Sequence, residues 1–227
     1  MQFPLKTSFK IHNSLDFDFS YKDIELFVEI TNFVKKIDTF SNPKISLEQY
    51  SLPNDLIAFL LILAQKDLYH RNVVDFGCGT GRFSLPIAKY FSDRVLGVDS
   101  DPHVLNQLQV SINSLETKID LLNSFIEFLE PSNWSSMFHT TIMNPPFGTQ
   151  RRRIDQVFLR KALKFSEIVL SIHKSNAESR RVWKRIATLH SKEIEVLATI
   201  DFPLDKTFFF HRNEKHEVKI DLIRIFS

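Results

Sequence analysis

The chain has 227 residues, 43% of them hydrophobic and 25% charged, with a formal net charge of +2 at pH 7. These values predict one globular domain that buries a sizeable core. The longest apolar run, residues 56–64, is too short to cross a bilayer, and the N-terminus lacks the apolar segment of a signal peptide. We therefore expect no membrane association, and a cytoplasmic location, or a nuclear or nucleolar one in a eukaryotic cell.

The single cysteine, Cys78, can form neither an intrachain disulfide nor a cysteine-rich zinc site. We therefore expect a reducing compartment and a site without a metal. Charge is distributed unevenly: residues 150–185 contain eleven Lys and Arg against three acidic residues, a local net charge of +8. Such a run is ordinarily a solvated face, but it also permits contact with a polyanion.

The predicted elements begin with a loosely attached extension over residues 1–40 that contains a helix over 22–36. Residues 41–227 form the main domain. Asn54 and Asp55 can cap a very apolar helix over 56–65.

From residue 72 onwards short apolar strands alternate with amphipathic helices, which predicts parallel βαβ units and an α/β fold. Asp101 caps a helix that starts at Pro102, and Asp155 and Asn176 can cap two later helices. A closing antiparallel hairpin follows, with an apolar phase that slips by one residue at Ile223, as a bulge or burial on both faces would produce. The five parallel strands are expected at 72–76, 94–98, 118–122, 140–143 and 168–172, and the hairpin strands at 193–200 and 217–226.

A glycine-rich loop, Asp75-Phe76-Gly77-Cys78-Gly79-Thr80-Gly81, follows the first of these strands, and Asp99 ends the next. Glycines let the backbone turn sharply beside a ligand, and an acid at this distance can accept both ribose hydroxyls. The G-x-G-x-G spacing and the leading Asp75 favour S-adenosylmethionine over a dinucleotide. The Asp75 carboxylate can meet the ammonium and sulfonium side of that cofactor, whereas it would repel a pyrophosphate. An ordinary strand-to-helix turn is the alternative.

The sequence Asn144-Pro145-Pro146-Phe147 has the groups needed to methylate a nitrogen in a planar system. The Asn144 side-chain oxygen and the Pro145 carbonyl can accept the two N–H bonds of an amine, which frees its lone pair. Two prolines stiffen the turn, and Phe147 offers a flat face to a base. A simple turn at a strand end is the alternative.

Together these residues resemble the small N6-adenine RNA methyltransferases that modify small-subunit ribosomal RNA in eukaryotes, with archaeal relatives. Five stretches between Phe40 and Phe226 carry the resemblance: LEQY (47–50), VVDFGCGTG (73–81), TTIMNPPFGT (140–149), SIHKS (171–175) and DLIRIF (221–226). It implies a class I, Rossmann-like, seven-stranded sheet, mostly parallel with an antiparallel final strand and helices on both faces.

The resemblance also assigns roles to residues. Gln49 and the turn after it would touch the cofactor, Gly77 and Thr80 would line its methionine end, and Asp99 would hold its ribose. Asn144 would lie beside both the cofactor and the target adenine, which Pro145 to Phe147 help to hold. Where relatives carry an acid near the cofactor adenine this chain has Asn123-Ser124-Phe125, so a neutral hydrogen bond would serve there. Eukaryotic relatives work with a small zinc-binding activator protein.

The resulting hypothesis is methyl transfer from S-adenosylmethionine to N6 of an adenosine in structured RNA, with ribosomal RNA as the expected substrate, the base flipped out of its stack and no strong general base. Candidates for RNA backbone contacts are Arg151, Arg152, Arg153, His173 and Lys174, each also explicable as part of a solvated loop. The loop with Phe208, Phe209, Phe210, His211 and Arg212 could stack on a base or pack on the domain. Alternatives are glutamine N5, guanine N2 or DNA adenine methylation, and an inactive scaffold of the same fold.

Overall fold

The computed structural model describes residues 6–14, 18–131, 134, 137–204 and 216–227. Their strands form one eight-stranded sheet in the order β1-β7-β8-β6-β5-β2-β3-β4. Strands β2 to β6 pair in parallel, whereas β8 pairs antiparallel with β6 and β7, and β1 pairs antiparallel with β7. The bounds are β1 Lys10–Ser14, β2 Asn72–Phe76, β3 Arg94–Asp99, β4 Asp120–Asn123, β5 Thr140–Met143, β6 Ile168–Lys174, β7 Glu193–Leu204 and β8 His216–Phe226.

Helices cover both faces of the sheet. The α-helices are α1 Tyr21–Val34, α2 Asn54–Ala64, α3 Ser84–Tyr90, α4 Pro102–Ser114, α5 Ile154–Phe165 and α6 Ala177–Leu189. Successive strand side chains point to opposite faces, so Val73 packs with α1 to α4 in one core cluster and Val74 packs with α5 and α6 in the other. No helix among the described residues is long and apolar enough to span a membrane.

The predicted α/β alternation is confirmed. Strands β2 and β5 have the predicted bounds. Asp101 caps α4 by accepting a hydrogen bond from the His103 amide at 3.2 Å, and Asn176 caps α6 through the Ser179 amide at 2.8 Å. These caps succeed because both side chains stand directly before an amphipathic run.

The sheet has eight strands rather than the predicted seven, and the N-terminal extension is not loosely attached. Strand β1 adds to the edge of β7, where it satisfies backbone groups that an edge strand leaves unpaired. Phe9 is 5% exposed and belongs to the same core as α2. Ser20 starts α1 with a capping box to Asp23. The described N-terminal residues therefore share one sheet and one core with the rest.

Two predicted helix caps are wrong. The Asn54 side chain accepts a hydrogen bond from Arg82 instead of capping α2, and Asp55 accepts hydrogen bonds from Ser8. Helix α5 begins at Ile154, ahead of Asp155, after Arg153 in a left-handed conformation with no side-chain cap. In both places a tertiary contact or a tight turn, which a local pattern does not register, decides the helix start.

Of the two causes considered for the slip in the apolar phase of the last strand, burial on both faces is confirmed. Residues 220–223 of β8 are all buried, with Ile220 and Leu222 in one core cluster and Ile223 and Ile225 in the other. The bulge lies in the facing strand β7, between Val196 and Ala198, and does not change the faces of the β8 side chains. Because β8 lies between the two core clusters, its apolar and polar side chains need not alternate.

Candidate cofactor and substrate site

One cavity lies at the carboxyl ends of β2, β3, β4 and β5, the edge at which open α/β sheets bind ligands. Its floor is formed by residues that directly follow these strands. Residues 46–52 and Phe40 close it from the side. The predicted site residues that line it are Gln49, Gly77, Gly79, Thr80, Asp99, Asn144 and Arg151, together with Pro146.

The glycine loop forms the cavity wall through backbone turns that side chains would block. Gly77 and Gly79 have φ values of 73° and 54°, and a Cβ at Gly79 would lie 3.0 Å from the Phe40 ring. Gly81 has a different role from the predicted one, because it does not line the cavity. A Cβ there would lie 2.3 Å from Leu108, so Gly81 is required for packing of α4 against the loop.

Asp99 is oriented by two backbone amides at the end of β3. Its carboxylate accepts hydrogen bonds from the Gly79 amide at 2.9 Å and from the Asp101 amide at 2.9 Å. Burial raises the pKa of Asp99, and these two amides partly offset the increase. Each oxygen keeps a second lone pair, so the carboxylate can still accept from the two hydroxyls of a ribose.

Asp75 does not occupy the predicted position beside the ligand. It is 2% exposed, lies beneath the loop, and accepts a hydrogen bond from the Ser84 hydroxyl at the start of α3. Burial raises its pKa to about 7; the Ser84 bond opposes this rise and the charge of Asp99 adds to it. Asp75 is not among the residues that line the cavity, so it supports the loop from below.

The Asn144–Phe147 turn is held by the segment that contains Glu48 and Tyr50. The Tyr50 hydroxyl donates a hydrogen bond to Asn144 Oδ1 at 2.9 Å, and the Tyr50 and Phe147 ring centroids are 5.6 Å apart. The Glu48 carboxylate accepts from the Phe147 amide at 2.8 Å and from the Gln150 amide at 2.9 Å. Burial raises the pKa of Tyr50 well above its usual value, so the phenol stays a hydrogen-bond donor.

A second set of bonds anchors the same segment to α4. Asp101 accepts from Lys44 Nζ at 2.8 Å and from Gln49 Nε2 at 3.0 Å, and Gln49 Oε1 accepts from the Lys44 amide. Burial alone would raise the pKa of Asp101, but the bonds from Lys44 and Gln49 hold it below its usual value. Gln49, predicted to contact the cofactor, lines the cavity and also fixes this segment.

The basic residues predicted to contact the RNA backbone lie in different environments. Arg151 lines the cavity and pairs with Glu127, whereas Arg152, Arg153 and Lys174 are exposed. Exposed guanidinium and ammonium groups at this edge are free to meet phosphates.

The prediction that His173 contacts an RNA backbone is wrong. Its side chain is 1% exposed, bonds to the Ser171 hydroxyl at 2.8 Å and lies with its ring centroid 4.5 Å from that of Trp183. Burial lowers the pKa of His173 to about 3. A neutral core side chain cannot bind a phosphate. The predicted base-stacking loop, Phe208–Arg212, lies outside the described residues.

The cavity residues to which the sequence assigned no role include Phe40, Glu48 and Arg82. Glu48 stands inside the LEQY stretch, next to Gln49, so that motif held the missing signal. Arg82 follows the glycine loop directly and is buried, which is unusual for arginine. Phe40 gives no local signal, because its contact with Gly79 depends on how the N-terminal segment folds back.

The residues of this cavity fit S-adenosylmethionine. Thr80 lines the cavity, and its buried hydroxyl oxygen has no hydrogen-bond partner among the described residues. Gly77 and Gly79 leave room for close approach, and Asp99 can accept from a ribose. Ser124 and Phe125 line the side where the cofactor adenine would lie after β4. With the sheet order and the antiparallel β7–β8 pair, the site defines a Rossmann-like class I methyltransferase.

Comparison with known proteins gives the family. The model of the methyltransferase small domain matches residues 55–169, and the chain belongs to this family. It is similar to the rRNA N(6)-adenosine-methyltransferase METTL5 of Danio rerio, with 29% identity over 86% of this chain and 96% of the relative. The Drosophila melanogaster Mettl5 is 27% identical over 86% of this chain and 94% of its own length.

A solved structure agrees with these sequence relatives. The crystal structure of a candidate RNA methyltransferase from Pyrococcus horikoshii superposes with a TM-score of 0.79 at 30% identity, and the match covers 88% of this chain and 97% of the other. The similarity therefore extends over nearly the whole of both proteins and includes strands outside the region that the family model matches.

Proposed function

We propose that this protein transfers a methyl group from S-adenosylmethionine to N6 of an adenosine in structured RNA, specifically small-subunit ribosomal RNA. The observation that carries the proposal is that Asn144 and Pro146 line the same cavity as Gly77, Thr80 and Asp99. A planar amine held by Asn144 would thus lie beside the methyl donor. The METTL5 relatives, which span most of this chain, support adenosine as the acceptor.

The proposed methyl transfer depends on the position of the substrate amine more than on proton transfer. When bound, S-adenosylmethionine supplies an electrophilic methyl group on a positively charged sulfur. Asn144 Oδ1 and the Pro145 carbonyl accept the two N–H bonds of the adenine amine, so that its lone pair points towards the methyl group. Phe147 stacks on the base. The bond between sulfur and the methyl group would break as the new N–C bond forms, leaving S-adenosylhomocysteine. The amine proton would then pass to water, and no side chain is assigned as a general base.

RNA binding would use the same edge of the sheet. Arg152, Arg153 and Lys174 are exposed there, and phosphate contacts fix the register of a nucleic acid without reading its sequence. The target adenosine has to leave its stack to reach Asn144, because the cavity lies below the rim that these residues form. Arg151, which lines the cavity and pairs with Glu127, would meet the phosphate nearest to the flipped base.

The test is methyl transfer with labelled S-adenosylmethionine, using unmodified ribosomal RNA, DNA and a release-factor protein as separate acceptors. Label in N6-methyladenosine from RNA is expected. Asn144→Ala should abolish transfer while S-adenosylhomocysteine binding stays within about twofold of the wild type. The matched control is Asn106→Ala, an exposed asparagine on α4, which should retain activity.

Other outcomes identify the other candidates. Label in methylated glutamine, in N2-methylguanosine or in DNA adenine would replace the proposal by the corresponding activity. A wild-type chain that binds no S-adenosylhomocysteine and labels no acceptor would indicate an inactive scaffold. Near-normal transfer by Asn144→Ala would contradict the assigned role of that residue, whatever the acceptor.

We also propose a small zinc-binding activator protein as partner, as the resemblance implies. Supporting this, β4 is an edge strand of the sheet, and next to it Phe125 and Phe128 are 50% and 75% exposed with ring centroids 5.8 Å apart. A free strand edge with exposed aromatic rings is suited to a protein contact. Co-expression with such an activator should give a stable complex that Phe128→Ser weakens. A chain equally stable and active alone would contradict this.

A further inference from the structure

The helices on the two faces of the sheet differ in charge. Helices α5 and α6, which cover one face, contain seven Lys and Arg residues against two acidic residues. Helices α1 to α4, which cover the opposite face, contain two Lys residues against four acidic residues. The net charges of the two sets are therefore +5 and −2, in a chain whose total is +2. Positive charge is concentrated on one face rather than spread over the surface.

Five of the seven cations on α5 and α6 have no acidic partner. The other two are engaged within the fold: Arg180 pairs with the buried Asp221, and Lys161 donates to the Glu127 and Leu129 carbonyls. The remaining five side chains are exposed, and none forms an ion pair with a residue that the structure describes. These five, which we call the basic face, are Arg160 and Lys164 on α5 and Arg181, Lys184 and Arg185 on α6.

The spacing within the basic face is unfavourable for the helices themselves. Arg160 and Lys164 are four residues apart on α5, and Arg181 and Arg185 are four residues apart on α6. Residues with this spacing are neighbours on a helix surface, and like charges there weaken the helix. The helix dipole compensates only Lys164, which stands in the last turn of α5. An anionic partner would relieve the repulsion on both helices.

The basic face is continuous with the rim above the cavity that Asn144 lines. Helix α5 begins at Ile154, directly after the exposed Arg152 and Arg153. It connects two parallel neighbours, β5 and β6, so it must run back from the carboxyl edge to the amino edge of the sheet. Helix α6 packs into the same core cluster beside it. A nucleic acid that reaches Asn144 over this rim can therefore continue along both helices.

Cations from different elements approach one another where the two helices end. The pKa of His190, directly after α6, is lowered by burial and then by Lys164, Arg160 and Lys192. Lys164 and Lys192 also line a groove at the amino edge, together with one arginine and one acidic residue, Glu167. The positive surface thus extends from the carboxyl edge to the amino edge.

We propose that the basic face binds the sugar–phosphate backbone of a base-paired RNA segment that flanks the target adenosine. This inference rests on the proposed RNA substrate and adds where the rest of that RNA lies. The cavity holds the unpaired base, and α5 and α6 hold the duplex beside it. Contacts with phosphates position the RNA without reading its sequence.

A base-paired segment suits this surface better than a single strand. Proteins hold single strands by stacking their bases on exposed aromatic rings. Helices α5 and α6, every residue of which the structure describes, expose no such ring, because Phe158, Phe165 and Trp183 are all buried. Paired RNA is recognised largely through its backbone and its shape. Exposed cations on two neighbouring helices meet that requirement.

An anionic membrane would also attract these cations, but the two helices lack what a membrane contact needs. A helix that lies on a membrane buries a broad apolar strip among the lipids. Leu189 is the one large apolar side chain that α5 and α6, both fully described, expose. Charge without an apolar strip favours the nucleic acid.

The experiment compares two labelled RNAs in fluorescence titrations of the full chain. One is a hairpin with an unpaired adenosine beside a duplex arm of about ten base pairs, which exceeds the roughly 20 Å length of α6. The other is the same unpaired segment without the arm. The wild type should bind the hairpin at least about tenfold more tightly, because the arm adds phosphate contacts.

Arg181→Gln with Arg185→Gln should remove most of this preference. Binding of the hairpin should weaken roughly tenfold at low salt, and the slope of log K against log salt concentration should fall by about 1 to 2. Binding of the short RNA, which does not reach the basic face, should change less than about twofold. Arg160→Gln with Lys164→Gln should give the same pattern from α5.

Folding does not confound these variants, because each removes a like-charge pair and should unfold at the wild-type temperature or slightly above it. The matched control is Lys35→Gln with Lys36→Gln, which alters two exposed lysines at the end of α1, on the opposite face of the sheet. It removes the same charge and should leave the affinity for both RNAs unchanged.

Several results would overturn the proposal: equal wild-type affinity for the two RNAs, equal losses for both, the same loss in the control, or unchanged hairpin binding in both double variants. Lost binding to vesicles of phosphatidylserine and phosphatidylcholine with retained hairpin binding would assign the face to a membrane instead. A wild type that binds neither RNA would overturn the proposed function as well. A wrong acceptor nitrogen would leave the preference for the duplex arm intact, and failure of the basic face would leave methylation of the short RNA unaffected.

Discussion

The hydroxyl of Tyr50 donates to Oδ1 of Asn144 over 2.9 Å, between residues 94 positions apart in the chain. An asparagine carboxamide can turn by 180°, which exchanges its acceptor oxygen and its donor nitrogen. The protonated phenol favours the orientation that presents Oδ1, because its O–H group then has an acceptor. Tyr50 thus fixes the orientation of Asn144 and leaves the second lone pair of Oδ1 for a substrate amine.

Tyr50→Phe should lower kcat about tenfold, because Asn144 would then sample an orientation that points N–H bonds at the amine. The affinity for S-adenosylhomocysteine should stay within about twofold, since the ring still packs on Phe147. Single-turnover kinetics and calorimetry measure the two quantities. An unchanged kcat in Tyr50→Phe would refute this positioning role.

Glu48→Gln should loosen the turn that follows Asn144. The carboxylate accepts from the amides of both Phe147 and Gln150, whereas a carboxamide can accept from one and presents an N–H group to the other. Hydrogen exchange of these two amides should become roughly tenfold faster. The control is Glu127→Gln, which touches the same loop only through the Arg151 side chain and should leave both amides protected. Unchanged exchange in Glu48→Gln would argue against the clamp.

Asp75→Asn should stabilise the ligand-free protein in a pH-dependent way. The folded state raises the pKa of Asp75 from 3.8 to about 7, so it keeps a proton that the unfolded state has lost. Wild-type stability therefore falls as pH rises from about 4 to 7, and is constant above that as far as this group is concerned. The asparagine variant avoids this loss, which is at most a few kcal/mol.

Urea unfolding at several pH values measures this difference. The stabilisation by Asp75→Asn should grow between pH 4 and pH 7 and then level off. Asp38→Asn, which alters an exposed carboxylate, is the control and should show no such growth. A variant that is less stable than the wild type at pH 8 would show that the charged carboxylate is stabilised by a partner.

The sequence was informative wherever structure depends on local order. The glycine loop after β2, Asp99 at the end of β3 and the Asn144 turn after β5 all follow strands whose carboxyl ends meet at one edge, so their neighbourhood could be predicted from the order of elements. Asp101 and Asn176 were predictable as caps for the same reason. The roles of Gly81 and Asp75 were not, because they depend on which side of the loop faces Leu108 and Ser84.

Contacts between distant parts of the chain account for the other errors. His173 lies in β6, a strand that both core clusters bury, and its ring packs on Trp183 from α6. The burial of His173 therefore depends on packing that the SIHKS stretch alone does not indicate. The pairing of β1 with β7 joins residues nearly 190 positions apart. A strand of five residues with mixed polarity gives no signal of such a partner.

Removing positive charge at the carboxyl edge of the sheet should weaken RNA binding and make it less dependent on salt concentration. Arg152 and Arg153 are exposed there, and each phosphate contact contributes about 0.7 to 0.9 to the slope of log K against log salt concentration. The double change Arg152→Ala with Arg153→Ala should reduce this slope by about 1 to 2.

The matched control is Lys66→Ala, an exposed lysine after α2 at the opposite edge of the sheet, which should leave the slope unchanged. Fluorescence titration of a labelled ribosomal RNA fragment between about 50 and 200 mM salt gives both slopes. Equal slopes for the wild type and the double variant would mean that neither arginine meets a phosphate, and would move the RNA interface away from this rim.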